Sequence, residues 1–503
     1  MIIIETKKMY AVLLFTTAVA LNGVDAFAPA LVNSKSRCAV SLKMSDGGYY
    51  IDVDERSQRN IAPFDEWATN CGVQRADGFR LCPTDPDDQY NQDDISAMTD
   101  SDLSAGQPVL GIPADMILTS TNAQLELEAI SDSLDEEKPN SDAGGVRKAI
   151  DVLTRLGAGE TVPKFYLFLK ILLEYTQGAD SPYYPWLDSM PRLYYNSVSM
   201  TDFCYECLPP LVFSLSRRER VKFDNFYDAL QKIDSRIFPD EIKQDKQVLL
   251  KWVFNLVHTR SFTADKNGNS GDGNGIGEGA SNGVEQKIVP MADFLNHGTE
   301  TDVEISYDEE GNCNVFTTRD VPAGSPLRIS YGCPTNPSEF FATYGFLDET
   351  SPATFCKIMN IQPTPELRTI GLDFSRMLFF KDTGDISSEV WDVLLYSKVL
   401  ANDIQTRQTF YDAHVNGDGD TKNAIHEQYM DQTAAALKEH VDTFLQQLDG
   451  LLAKSEGKDW NEHPRLPLIL RHNEFVRTTF ENVKMRLDPM VEQYQYQEEY
   501  QEA

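Results

Sequence analysis

Cysteine is scarce in this chain, and its spacing excludes two common ways of stabilising a small domain. Eight cysteines are spread over 503 residues, which is not the pattern of a disulfide framework. Cys204 and Cys207 form a lone CxxC, without a second Cys or His pair at the spacing of a zinc site. We therefore expect a reducing compartment, no metal site, and two thiols one helical turn apart.

Basic charge and long apolar runs are also in short supply. The chain has 45 basic and 78 acidic residues, a net charge of -33, which argues against direct binding to nucleic acid. Acidity commonly serves solubility, although it could also attract a basic protein substrate. The apolar run at residues 9–21 is too short for a membrane span, so we expect no stable span in the mature protein, which we expect to be a monomer. The length allows two or three domains.

The N-terminus has the composition of targeting signals. Residues 1–26 combine Lys7, Lys8, an apolar run and a small-residue site, and predict a signal peptide. Residues 27–44 have no acidic side chain but several basic residues and serines, as in a transit peptide. The two together resemble the bipartite plastid presequence of algae with secondary plastids, such as diatoms. We expect a plastid stromal protein; secretion is the alternative, and the scarcity of cysteine pairs speaks against it.

Three short motifs in order are the most informative feature of the sequence. Asn296-His297 ends an apolar segment, Tyr331-Gly332 follows the apolar stretch 327–330, and residues 344–346 read Tyr-Gly-Phe. A histidine beside an apolar run is usually a core residue. A tyrosine that ends a strand and opens a loop is, however, placed where binding and catalytic groups commonly lie.

These motifs, with others in the same order, resemble the SET domain of the Rubisco large-subunit methyltransferase type. The tryptophan helix 252–260, which ends in Arg260, and the segment 181–191 match further family patterns. The resemblance covers residues 61–350. It implies an α+β fold of several small β-sheets with a helical insertion at about 120–262, and an all-α substrate-binding-like domain at 351–503. It also implies methyl transfer from S-adenosylmethionine to a protein lysine.

The resemblance assigns roles to individual residues. Tyr331 is the catalytic candidate, which orients the acceptor amine, and Tyr344 and Phe346 form the wall of its channel. Arg260 would meet the cofactor carboxylate, and segment 293–297 would face the adenosine. The predicted cofactor-binding residues are Gly78, Phe79, Arg260, Asp293, Phe294, Leu295, Asn296, His297, Tyr344, Gly345 and Phe346.

One departure from the family pattern keeps other functions open. The family opens with a Gly-x-Gly turn, whereas residues 75–83 contain Gly78 alone and end in Pro83. A catalytically degenerate SET-like protein-binding module is therefore one alternative, and a histidine acceptor is another. As protein substrates, the resemblance suggests Rubisco large subunit and plastid aldolase.

Periodicity and turn residues predict the remaining elements. Segments 102–109 and 320–327 share the pattern Asp-apolar-x-Ala-Gly-x-Pro-apolar, which predicts two turn-then-strand units. Residues 264–283, rich in Gly and Asn, predict a flexible loop, and 416–427, which faintly resembles an EF-hand, predicts only a turn between helices because Thr421 replaces the required glycine. Further predicted strands are 303–307 and 314–318, and predicted helices are 146–156, 164–176, 201–207, 247–262, 387–401, 424–452 and 473–503.

Overall fold

A computed structural model describes residues 51–55, 59–84, 95–137, 145–265, 284–332, 337–356, 361–373 and 375–502. The predicted signal and transit segments and most of the predicted flexible loop lie outside these residues. The first two residues of the predicted loop, Ala264 and Asp265, belong to a strand, so the predicted start of the loop was wrong. Within the described residues no helix is long and apolar enough to cross a membrane.

The strands form several small sheets. They have the orders β1-β4-β10-β9, β11-β3-β2 and β5-β7-β6, with two further pairs, parallel β12-β8 and antiparallel β13-β14. The strands are β1 (Gln74–Arg75), β2 (Phe79–Pro83), β3 (Ile95–Thr99), β4 (Pro108–Ile112), β5 (Leu118–Thr119), β6 (Ser261–Asp265), β7 (Val284–Ile288), β8 (Asn296–His297), β9 (Val303–Tyr307), β10 (Cys313–Thr317), β11 (Ser325–Pro326), β12 (Arg328–Ile329), β13 (Ala353–Phe355) and β14 (Leu378–Phe380).

Helices fill the interval between β5 and β6 and most of the chain after residue 356. Because β5 and β6 both pair with β7, the two ends of the helical insertion meet in one sheet. The helices are α1 (Ala62–Asn70), α2 (Ser120–Glu137), α3 (Val146–Arg155), α4 (Val162–Gln177), α5 (Tyr184–Ser189), α6 (Asp202–Glu206), α7 (Pro210–Leu230), α8 (Asp240–Gln244), α9 (Leu249–Arg260), α10 (Ser338–Thr343), α11 (Pro365–Ile370), α12 (Ser388–Ser397), α13 (Ile404–Asn416), α14 (Gly419–Gln428), α15 (Met430–Ser455) and α16 (Leu466–Glu502).

Local sequence explains where these helices begin and end. Pro163 lies in the first turn of α4, where a backbone N–H would have no partner within the helix, and the helix ends at Gln177, just before Gly178, whose φ is +56°. Thr201 caps α6 by accepting a hydrogen bond from the Cys204 N–H. The prediction of a helix through residue 262 was wrong at its end, because Ser261 is extended and β6 pairs with β7.

The two segments with the shared Asp-apolar-x-Ala-Gly-x-Pro pattern pack against each other as reciprocal turns. Asp320 Oδ1 accepts a hydrogen bond from the Ala105 N–H at 2.9 Å, and Asp102 Oδ1 accepts one from the Ala323 N–H at 2.8 Å. Leu103 and Val321 form an antiparallel bridge between them. The two turns lead into β4 and β11, so the predicted turn-then-strand units are present and form a clasp between distant parts of the chain.

The C-terminal region is mainly helical, with two differences from the prediction. The predicted helix 424–452 is divided at Tyr429 between α14 and α15. The region also contains the short pair β13-β14, which the sequence had not indicated; in this pair Phe379 is fully buried and packs edge-on against Phe480 at 5.0 Å. Of the turn predicted at 416–427, only left-handed Gly417 and the cap Asp418 lie between the helices, because α14 begins at Gly419. The architecture confirms the predicted fold class.

Candidate functional site

Residues 295–297 hold Tyr331 by both its backbone and its side-chain hydroxyl. Parallel pairing of β8 with β12 places this tyrosine beside residues 295–297. Its hydroxyl donates to the Leu295 carbonyl at 2.9 Å, and its backbone N–H donates to His297 Nδ1 at 3.1 Å. The structure therefore brings together Tyr331, Leu295 and His297, which the sequence had placed in one site.

An aromatic cluster surrounds this tyrosine. The ring centroids of Tyr331 and Tyr344 are 4.8 Å apart, and those of Tyr331 and Phe346 are 6.2 Å apart. The His297 ring lies 4.5 Å from the Phe340 ring and 5.7 Å from the Phe346 ring. Phe340 was not predicted, although its place at the start of the apolar face of α10 was a usable signal. Such a cluster excludes water and presents electron-rich ring faces to a cation.

Gly345 sets the position of the Tyr-Gly-Phe motif because no other residue fits there. Its φ is +83°, and a Cβ would lie 2.3 Å from the Asn196 nitrogen and 2.5 Å from the Tyr195 carbonyl carbon. The Asn196 side chain donates to the Thr343 carbonyl at 3.0 Å. The motif is thus pressed against residues 195–196, and its two aromatic rings project from a backbone that is fixed on both sides.

Arg260 and Asp293 form a buried ion pair beside the aromatic cluster. Arg260 Nη1 donates to the Asp293 carbonyl at 2.8 Å and lies 3.2 Å from its Oδ2, while Trp186 Nε1 donates to the same Oδ2 at 3.0 Å. The Asp293 side chain is completely buried. Burial raises the pKa of its carboxyl, and the Arg260 charge and the Trp186 hydrogen bond oppose that rise.

The guanidinium also faces the segment that was predicted to contact cofactor. Its carbon lies 4.8 Å from the Phe294 ring centroid, a cation–π distance. Burial acts to lower the pKa of Arg260, but the nearby Asp293, Tyr194 and Tyr331 raise it overall. Its Nε is buried and has no hydrogen-bond partner in the described part of the chain. The arginine is therefore enclosed by groups of the chain itself, with the Asp293 carboxylate and the Tyr194 hydroxyl beside its guanidinium.

Backbone strain precedes this segment. Met291 is fully buried and has a φ of +81°, a backbone conformation that residues other than glycine rarely adopt. It leads into a single 3-10 turn, Ala292–Phe294, and from there into β8. Strain of this kind is concentrated at functional sites. Asn296, at the start of β8, donates from its side chain to Thr84 Oγ1 at 3.3 Å.

Asp348 joins the site and was missed in the sequence. Its Oδ2 lies 3.5 Å from His297 Nε2, and both side chains are largely buried. A carboxylate two residues after the Tyr-Gly-Phe motif was visible in the sequence, but nothing there indicated that it would face His297.

Gly78 and Phe79 lie at the start of β2, the strand that leads to Thr84 beside Asn296. Gly78 has a φ of +84°, and a Cβ there would lie 2.6 Å from Ser101 Oγ and 2.7 Å from the Ser101 nitrogen. The space that the glycine leaves free is thus filled by the chain itself. Phe79 begins β2, and the sheet β11-β3-β2 reaches the site through Leu327, whose N–H donates to the Ala97 carbonyl at 2.8 Å. No group of three or more His, Cys, Asp or Glu side chains in the described ranges could hold a metal ion.

Comparison with known proteins identifies the fold. No protein-family model and no curated protein sequence matches the chain. The solved structures that are similar to it include three at 15% sequence identity. The SET domain of LSMT bound to lysine and AdoHcy has a TM-score of 0.54, over 85% of this chain and 91% of that chain. Rubisco LSMT bound to AdoMet, and Rubisco LSMT bound to sinefungin and monomethyllysine, each have a TM-score of 0.53, over 86% of this chain and 92% of theirs. This chain therefore has the SET-domain fold of the Rubisco LSMT structures.

Proposed function

We propose that this chain is an S-adenosylmethionine-dependent protein-lysine N-methyltransferase. The observation that carries the proposal is the phenol of Tyr331, tied to the Leu295 carbonyl and to His297 within a cluster of aromatic rings. The similar structures contain AdoMet, AdoHcy, lysine or methyllysine, which supports the same reaction here.

The chemistry of methyl transfer suits this arrangement. When bound, S-adenosylmethionine supplies the methyl group, which departs from its positively charged sulfonium sulfur. The protein must align the acceptor amine and exclude water, and it needs little acid-base machinery. An aromatic, partly desolvated channel favours the neutral form of a lysine amine. Because the Tyr331 hydroxyl donates to a carbonyl, its oxygen is suited to accept a hydrogen bond from that amine and orient its lone pair.

The residues present fit the cofactor. The Arg260 guanidinium supplies the positive charge with which a cofactor carboxylate would pair, and the rings of Tyr331, Tyr344 and Phe346 can face a sulfonium cation. The segment Asp293 to His297 would hold the adenosine part. These roles stay predictions, as do those of Gly78 and Phe79.

Incubation of the chain from residue 45 onward with labelled S-adenosylmethionine and plastid stromal extract tests the activity. We expect a labelled protein band, which Tyr331→Phe removes. Tyr307→Phe is the matched control, since this tyrosine lies in β9 and its ring packs on Lys287. Absence of a band above the Tyr331→Phe background would contradict the proposal.

The acceptor residue and protein are the finer part of the proposal. Mass spectrometry of the labelled protein distinguishes a methylated lysine from the alternative, a methylated histidine. Rubisco large subunit and plastid aldolase are the first substrates to test with purified protein. Methylation of neither, with a labelled band elsewhere in the extract, would redirect the substrate assignment and leave the reaction in place.

A protein-binding module without turnover is the second candidate, and the packing at Gly78 favours it. The approach that a glycine allows to a ligand is occupied there by Ser101. Calorimetric titration with S-adenosylmethionine separates the two candidates. Binding at micromolar strength or tighter supports the enzyme, and no detectable heat supports the module.

We also propose that the protein acts in the plastid stroma of an alga with a secondary plastid, on the composition of residues 1–44. Fusion of these residues to a fluorescent protein, expressed in a diatom, tests the location. Fluorescence in the culture medium instead of the plastid would support the alternative, secretion.

A further inference from the structure

The two ring nitrogens of His297 have different surroundings. Nδ1 accepts a hydrogen bond from the Tyr331 backbone N–H at 3.1 Å. An imidazole nitrogen that accepts a hydrogen bond carries no proton, so in the neutral ring the proton belongs on Nε2. Nε2 is buried and has no hydrogen-bond partner among the described residues, and it lies 3.5 Å from Asp348 Oδ2, so a proton on this nitrogen is favoured by the charge of the carboxylate. The two contacts select the same tautomer.

Asp348 is itself held firmly as an acceptor. Thr350 donates to Oδ1 from its hydroxyl at 2.6 Å and from its backbone N–H at 3.0 Å, and Thr299 donates to Oδ2 at 2.7 Å. Burial acts to raise the pKa of this carboxyl, but the nearby His297 ring and the hydrogen bonds from Thr350 and Thr299 hold it well below its ordinary value. Asp348 therefore faces the histidine as a charged group with a fixed orientation.

We propose that Asp348 is a positioning residue for Tyr331, acting by keeping the proton of His297 on Nε2. The inference rests on the proposed function for its effect on catalysis. In the other tautomer, Nδ1 would carry a proton directed at the Tyr331 N–H, and the two donors would repel. The backbone of Tyr331 would then move, although its hydroxyl contact with Leu295 pulls the other way. The Tyr331 hydroxyl would then no longer lie at the position from which it aligns the acceptor amine.

The tautomer can be measured without any turnover. In the full chain labelled with 15N-histidine, the nitrogen shifts of His297 are assigned by comparison with His297→Gln. We expect a protonated Nε2 and an unprotonated Nδ1 in the wild type, and a mixture of tautomers in Asp348→Ala. Glu349→Ala is the matched control, since this neighbouring carboxylate is 56% exposed and pairs with Arg471. It should leave the His297 shifts unchanged.

Kinetics give the second readout. Asp348→Ala should lower kcat on the order of tenfold with little change in the KM for S-adenosylmethionine, because a misplacement of 1 Å can cost up to about a hundredfold. Thr299→Val removes one hydrogen bond to Asp348 and leaves the carboxylate facing His297, so it should keep both the tautomer and most of kcat. This variant separates a general loosening of the loop from a change at His297.

The outcomes are distinct. A protonated Nε2 that persists in Asp348→Ala, or a kcat equal to that of the wild type, would overturn the inference. A tautomer change in a chain that shows no methyl transfer at all would support the control of His297 by Asp348 and count against the proposed function.

Discussion

Two buried carboxylates, Asp293 in the site and Asp392 in the C-terminal helices, have pKa values that are shifted in opposite directions, although burial acts to raise both. Asp293 faces Arg260 and Trp186, and burial raises the pKa of its carboxyl. Asp392, on α12, accepts from His426 Nε2 at 2.7 Å and Lys422 Nζ at 2.5 Å, both on α14, and these contacts outweigh burial and lower its pKa. Asp392 therefore joins α12 to α14 through ion pairs, whereas Asp293 is a carboxylate whose charged form is disfavoured by burial. Groups of that kind are concentrated at functional sites.

Among the substitutions that test this comparison, Asp293→Asn should lower the free energy of unfolding the most. It removes the negative charge and leaves Arg260 buried with its own charge uncompensated. Loss of one partner of a buried pair costs about 3–5 kcal/mol of the free energy of unfolding. Urea denaturation of the two proteins measures the difference, and a loss below about 1 kcal/mol would mean that the pair is solvated.

Asp392→Asn should have a smaller effect, because its partners His426 and Lys422 are 15% and 23% exposed and can regain water. Hydrogen bonds to a charged group contribute about 2 kcal/mol. The same denaturation measurement at neutral pH gives this difference.

Acid should erase the contribution of Asp392. Its pKa is lower in the folded protein, so the folded state binds fewer protons there than the unfolded chain does. The stabilisation is therefore complete above the unfolded pKa of about 4 and is lost as the pH falls through the folded pKa. The stability difference between the wild type and Asp392→Asn should shrink below about pH 4. A difference that grows on acidification would contradict this sign.

Glu206→Gln supplies the baseline for both carboxylates. Glu206 pairs with Lys454 between α6 and α15 at 2.7 Å, and the two side chains are 56% and 46% exposed. Exposed pairs of this kind contribute less than about 1 kcal/mol, and added salt should reduce the effect further. A loss as large as that of Asp392→Asn would remove the distinction between exposed and buried carboxylates.

Local patterns predicted the elements that local forces determine. The apolar periodicity of α3 and α4, the clasp pattern at Asp102 and Asp320, and the turn at Asp418 were all readable in the sequence. Helix α7 was not predicted, although Pro210 and the buried Phe223, Phe226 and Leu230 give a helix start and an apolar face. That signal was present and was overlooked.

The remaining features depend on contacts between distant residues. Phe262 has the apolar character of α9, but pairing with β7 draws it into a strand. Motif order placed His297 and Tyr331 in one site, yet it could not show that Arg260 would meet Asp293 or that Asp348 would meet His297. Those pairings depend on the folded geometry, which spacing along the chain does not encode.

The clasp has a consequence for the synthesis of the chain. Its two aspartate hydrogen bonds join residues 215 and 221 positions apart. While the ribosome is still producing the insertion, β4 lacks its partner β10, and the turn at Asp102 lacks its counterpart. The helices α2 to α9 consist of contiguous segments and can form during that time, whereas contacts between distant segments form slowly. The first strands to leave the ribosome are thus among the last to be completed, and they depend on the insertion to bring their partners back to them.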